Sequence, residues 1–83
     1  MKNKSAASFD EQLLRMIVGM VVRMNRETKG TTQANVAKAA GLERTTVVNI
    51  EAGTQGTPLP TFIALAKALD KKPSKLLASI ETL

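Results

Sequence analysis

Residues 33–52, QANVAKAAGLERTTVVNIEA, constrain this chain more than any other stretch. Small and branched apolar residues recur at helical spacing on both sides of one glycine. Val36, Ala37 and Ala40 fall on one face of a first short helix. Val47 and Ile50, three apart, fall on one face of a second. Between them stands Gly41, and glycine readily takes the left-handed conformation that ends a helix. Leu42 follows in the turn and plugs the angle, and Ala37 is small where two crossing helices come close. The pattern predicts two short helices joined by a tight turn. The second helix keeps a free face made of Arg44, Thr45, Val48 and Asn49.

The flanks extend the helical pattern. Ser8 with Glu11 three residues on forms a capping box, so a first helix begins near Phe9. It runs to about residue 28, where Lys29-Gly30 ends it. This helix carries two apolar stripes. One holds Leu14, Val18, Val21 and Val22; the other holds Leu13, Met16, Ile17, Met20 and Met24. Together they far exceed the ~100° stripe that one core needs. Leu13, Ile17, Met20 and Met24 are spaced four, three, four, as in a coiled-coil seam. Either the other helices wrap both stripes, or one stripe packs on a second subunit or partner. Gly19, in mid-helix, costs about 1 kcal/mol against alanine; it permits a close helix approach or is incidental.

Thr32 is the expected N-cap of the second helix, which Gln33 opens and Ala40 ends. The third helix spans 44–52. Residues 53–59, GTQGTPL, form an uncharged loop. Pro60 suits the first turn of a fourth helix, with Phe62, Ile63, Leu65, Ala66 and Leu69 on its buried side. After the break at Asp70-Lys71-Lys72, Pro73 opens a last helix bearing Leu76, Leu77 and Ile80. The reading is an all-α, five-helix domain over 9–83 with a long first helix, preceded by a flexible arm at 1–8.

Composition narrows the chemistry. The 83 residues suffice for one small domain. A domain of this size buries a modest core, so a dimer or a bound partner would help to stabilise it. The net charge of +5 points to an anionic partner. There is no Cys and no His, which excludes disulfides, ordinary zinc sites and Ser-His or Cys-His catalysis. Carboxylates are present without a nucleophile, base or metal-ligand constellation, so no catalytic residue, metal or cofactor is expected. Phe9 and Phe62 are the only aromatic residues, too few to stack single-stranded bases. The apolar run at 16–22 is too short to span a membrane, and charged residues flank it, so neither a membrane span nor a signal peptide is expected. A cytoplasmic location is consistent with these features.

The chain resembles the Cro and lambda-repressor type of helix-turn-helix, the XRE family. The resemblance covers about residues 22–77. It rests on RETKGTTQ at 26–33, Ala37, Gly41-Leu42, NIEAG at 49–53 and ALAKAL at 64–69. It implies a lambda-repressor-like fold with the helix-turn-helix at 33–52 and recognition by the helix at 44–52. Gln33 would then bind a DNA phosphate and brace the recognition helix. The resemblance also pairs Arg26 with Glu51 as a structural salt bridge between helices 1 and 3. Two positions depart from the family. Glu43 stands where a small hydroxyl residue is usual, and the loop at 53–59 lacks the usual basic residues.

These readings converge on duplex DNA. Arg44 can read guanine, Asn49 can pair with adenine or hold a phosphate, and Thr45 can donate to a base. Val48 suits a thymine methyl or is simply exposed. Thr46, toward the flank, is expected at the DNA backbone. The leading expectation is a sequence-specific transcriptional regulator acting as a homodimer on a pseudo-palindromic operator. Small phage-type repressors and restriction-modification controllers look similar in size. The dimer or partner surface is expected among Leu13, Ile17, Met20, Met24, Leu76, Leu77 and Ile80. No small-molecule effector is expected, since 83 residues leave no room for a ligand-sensing domain beside the helix-turn-helix. The alternative is an antitoxin-like module, with the surplus stripe covering a partner protein and DNA binding serving autoregulation.

Overall fold

The computed structural model describes residues 9–82. Five helices follow in order: α1 (Phe9–Lys29), α2 (Gln33–Ala40), α3 (Arg44–Ala52), α4 (Leu59–Ala68) and α5 (Pro73–Glu81). No strand occurs among the described residues. The all-α expectation holds, and the long first helix is present. Helix α4 starts one residue before the expected Pro60, with Pro58 at its N-cap. The arm at 1–8 and the capping box expected from Ser8 lie outside the described residues.

The turn between α2 and α3 takes its shape from Gly41, whose φ of 71° is left-handed. There the Gly41 N–H donates to the Lys38 carbonyl at 3.2 Å and the Leu42 N–H to the Ala37 carbonyl at 2.8 Å. These two bonds satisfy carbonyls that the end of α2 would otherwise leave unpaired. At its other end, the Thr32 Oγ1 accepts from the Asn35 N–H at 3.0 Å, the N-cap that the sequence implied.

Gly19 has a clear role. It is buried where α1 crosses the end of α3, and a Cβ there would run into the Ile50 carbonyl oxygen and lie 2.8 Å from that of Glu51. The glycine permits a backbone-to-backbone approach that no other residue allows without a shift. The propensity cost in mid-helix is thus offset by the crossing it makes possible.

Two apolar clusters share α1. Val22, Val36, Val47, Ile50 and Leu65 are fully buried in the larger one, which locks α2 and α3 onto α1 and α4. A smaller cluster of Val21, Phe62, Ala66 and Leu76 ties α5 to α1 and α4. The adjacent Val21 and Val22 therefore serve different clusters, which is how one helix organises the whole domain.

The surplus apolar surface of α1 lies largely outside both clusters. Leu13, Met16, Met20 and Met24 remain exposed, and Ile17 is half-buried. One expectation needs correction. Leu76, expected at the dimer or partner surface, is only 1% exposed and belongs to the core. Its neighbour Leu77 points outward, and Ile80 packs half-buried against the smaller cluster.

Candidate nucleic-acid interface

Val47 and Ile50 anchor α3 from beneath, which fixes the opposite face outward. Arg44, Thr45 and Asn49 are exposed on that face and Val48 is half-buried. Thr46 is half-buried at the flank, with its N–H donating to the Glu43 carbonyl at 3.0 Å. Arg44, which opens the helix, has no carboxylate partner among the described residues. Glu43 occupies the N-cap with extended backbone, and its side chain makes no capping hydrogen bond. A carboxylate there is favoured by the helix dipole even so.

The far end of α3 is held by a polar network. Arg26 Nε donates to Glu51 Oε2 at 2.7 Å, and Arg26 Nη2 donates to Glu51 Oε1 at 3.0 Å. The pair is two-pronged, the geometry that gives arginine its specificity for carboxylates. The side chains are 14% and 4% exposed, so the bridge is largely shielded from water. Arg26 Nη1 also donates to the Thr31 carbonyl at 3.0 Å, fastening the α1–α2 turn. The hydrogen bond to Glu51 raises the Arg26 pKa above its ordinary value.

Gln33 completes the network, because its Nε2 donates to Glu51 Oε1 at 3.1 Å. One amide hydrogen is thereby used to brace α3. An amide carries a second one, which leaves Gln33 a donor for an outside acceptor. Arg26, Gln33 and Glu51 thus join α1, α2 and α3 at one point, across 25 residues of sequence for the ion pair.

Arg23 was not singled out by the sequence reading. It lines a cleft of about 350 Å³ with Gln33, Val48 and Ala52, while Arg26 and Glu51 border the same cleft. The available signal was its position three residues before Arg26, on the same helical face. Glu27 holds its Nε at 3.1 Å in an exposed pair.

A second concavity lies away from this face. Leu14, Val18, Leu59, Phe62, Leu77 and Ile80 line a groove of about 370 Å³ between α1, α4 and α5. Leu14, Leu59 and Leu77 are 53%, 68% and 51% exposed. Of the residues expected at a dimer or partner surface, the groove gathers Leu77 and Ile80. Leu13, Ile17, Met20 and Met24 lie on another face of α1, outside the groove. Among the described residues, no helix is long and apolar enough to cross a membrane.

Comparison with known proteins gives the following likenesses. A family model described as Helix-turn-helix matches residues 22–76. The restriction-modification controller protein C.AhdI from Aeromonas hydrophila is 34% identical, with a TM-score of 0.72 over 75% of this chain and 94% of that one. The wild-type restriction-modification controller protein C.Esp1396I is 24% identical, with a TM-score of 0.79 over 90% of this chain and 91% of that one. The clp gene regulator ClgR from C. glutamicum is 22% identical, with a TM-score of 0.78 over 83% of this chain and 90% of that one. The last two likenesses concern the fold. A search of curated protein sequences gave no match.

Proposed function

Since this chain belongs to the XRE-type helix-turn-helix family, we propose that it is a transcriptional regulator reading duplex DNA through α3. The observation that carries this reading is the firmly backed outer face of α3, with Arg44, Thr45 and Asn49 exposed and Val48 half-buried among them. Arg44 offers two donors to guanine, Asn49 a donor and an acceptor to adenine, and Val48 an apolar surface to a thymine methyl. Gln33 supplies its second amide hydrogen to a backbone phosphate, with Arg23 beside it as a further cation. Thr46 serves the backbone from the flank. Contacts of this kind set register, while those of α3 set sequence.

A homodimer fits the apolar groove between α1, α4 and α5. A second copy would cover Leu14, Leu59 and Leu77, which are large, apolar and half or more exposed in the single chain. Two copies of α3 would then meet two half-sites about one DNA turn apart. The exposed stripe of Leu13, Met16, Met20 and Met24 favours a second reading, an antitoxin-like surface for a partner protein. Methionine-rich apolar surfaces adapt to varied partners.

Selection of bound duplexes from a random pool, at near-physiological salt, tests the proposal. Enrichment of a two-fold-symmetric motif is the expected result. A single half-site would retain DNA reading and reject the homodimer. Binding without any preferred motif would reject the regulator reading.

A further inference from the structure

Positive charge is unevenly placed on this molecule. Arg15, Arg23, Arg26 and Lys29 lie against Glu11, Glu27, Glu51 and Asp70 respectively. Six cations lack a carboxylate partner among the described residues. Two of them, Lys38 and Arg44, belong to the helix-turn-helix. The other four, Lys67, Lys71, Lys72 and Lys75, surround the bend between α4 and α5, and all four are exposed.

The bend is a defined structure. Asp70 takes a left-handed φ of 58°, and the Lys71 N–H donates to the Ala66 carbonyl at 2.8 Å. Asp is among the few residues other than glycine that visit this conformation routinely. Four like charges gathered on one bend repel one another, and the fold gains no ion pair from them.

The location of the bend supplies a reason. Lys29 Nζ donates to the Ala68 carbonyl at 2.9 Å and pairs with Asp70 at 2.8 Å. It therefore fastens the α4–α5 bend to the end of α1. One turn earlier on α1, about 4.5 Å along the axis, Arg26 holds Thr31 and Glu51. Lys29 thus ties the lysine-rich bend to the same end of α1 whose Arg26 reaches Glu51, the carboxylate that Gln33 also holds. Around Gln33 itself free charge is scarce. Arg23 and Arg26 are each paired, and the loop at 54–58 has no charged residue. Phosphate neutralisation supplies much of the affinity of DNA-binding proteins, and among the described residues the unpaired cations sit mainly on the bend.

Resting on the DNA reading above, we infer that the α4–α5 bend is a further contact with the duplex backbone, additional to Gln33, Arg23 and Thr46. Its lysines take phosphates beyond the one assigned to Gln33, outside the bases read by α3. An ammonium group on a flexible stem is a point charge without base preference. The contact therefore lengthens the footprint and leaves the preferred sequence unchanged.

The test compares the wild-type chain with a Lys71→Gln/Lys72→Gln/Lys75→Gln variant on the selected duplex. Binding is measured across a salt series, with hydroxyl-radical footprinting of each complex. Each phosphate contact contributes about 0.9 to the slope of log K against log salt. The variant should lose about 1 to 2 from that slope per protomer. The outer edge of its footprint should retreat, with the motif unchanged. An unchanged slope and footprint would overturn the inference. Weaker binding with an unmoved footprint edge would do so as well, because charge would then be acting without contact. Should the triple variant unfold, Lys71→Gln/Lys75→Gln repeats the test with the α5 N-cap residue retained. If the wild-type chain itself shows no preferred duplex, the DNA reading fails and this contact fails with it. A preferred duplex with an unmoved slope removes the bend alone.

Discussion

Two faces of α1 build opposite kinds of surface. Toward α3 it offers fixed geometry: the bare Gly19 crossing and the two-pronged Arg26–Glu51 pair, whose carboxylate Gln33 also braces. Toward α4 and α5, Leu14 and Val18 leave an apolar groove open. The first arrangement is satisfied within one chain, so the orientation of α3 is set before any partner arrives. The second leaves large apolar side chains in water, and a second surface would complete it. On the proposed reading, one helix would thereby serve both recognition and assembly.

The comparison can be broken at its polar face first. Glu51→Ala would strand Arg26 without a carboxylate in a site mostly closed to water. Removing one member of a buried pair costs about 3–5 kcal/mol, and urea unfolding should show a loss in that range. A loss below about 1 kcal/mol, the scale of an exposed pair, would mean the network does not hold α3. Gly19→Ala comes next. Helix propensity alone would stabilise the chain by about 1 kcal/mol. The new Cβ instead presses on the Ile50 and Glu51 carbonyls, and overpacking costs about 1–3 kcal/mol. The variant should be less stable than wild type; a more stable one would show that the crossing yields easily.

The apolar face predicts a different signature. Leu77→Glu changes an exposed residue, so the isolated fold should shift by only about 0.5 kcal/mol. Mass in solution should nonetheless fall from dimer to monomer. Met20→Glu, on the separate α1 stripe, should leave that mass unchanged. The reverse result would move assembly from the groove to the stripe.

Legibility in the sequence follows the same division. The turn at Gly41 and the cap at Thr32 are local, and short-range spacing displays them. The Arg26–Glu51 pair joins distant residues, and only resemblance to a family brought them together beforehand. That Gln33 shares the same carboxylate, and that Arg23 borders the same cleft, depends on how three helices converge. Gly19 was ambiguous because spacing cannot show what crosses a glycine. The α5 residues were the hardest. Leu76 and Leu77 are adjacent and equally apolar, yet one is core and the other surface, and only packing against Val21, Phe62 and Ala66 separates them.

The central claim is that α3 reads sequence while Gln33 holds the backbone. The most direct measurement is duplex selection from one random pool by wild type, Arg44→Ala and Gln33→Ala in parallel. Arg44→Ala should relax preference at one base position of each half-site, by about 1–3 kcal/mol of discrimination. Gln33→Ala should weaken every sequence alike and keep the motif. An Arg44→Ala motif identical to that of wild type would contradict the assignment of α3 as the reader.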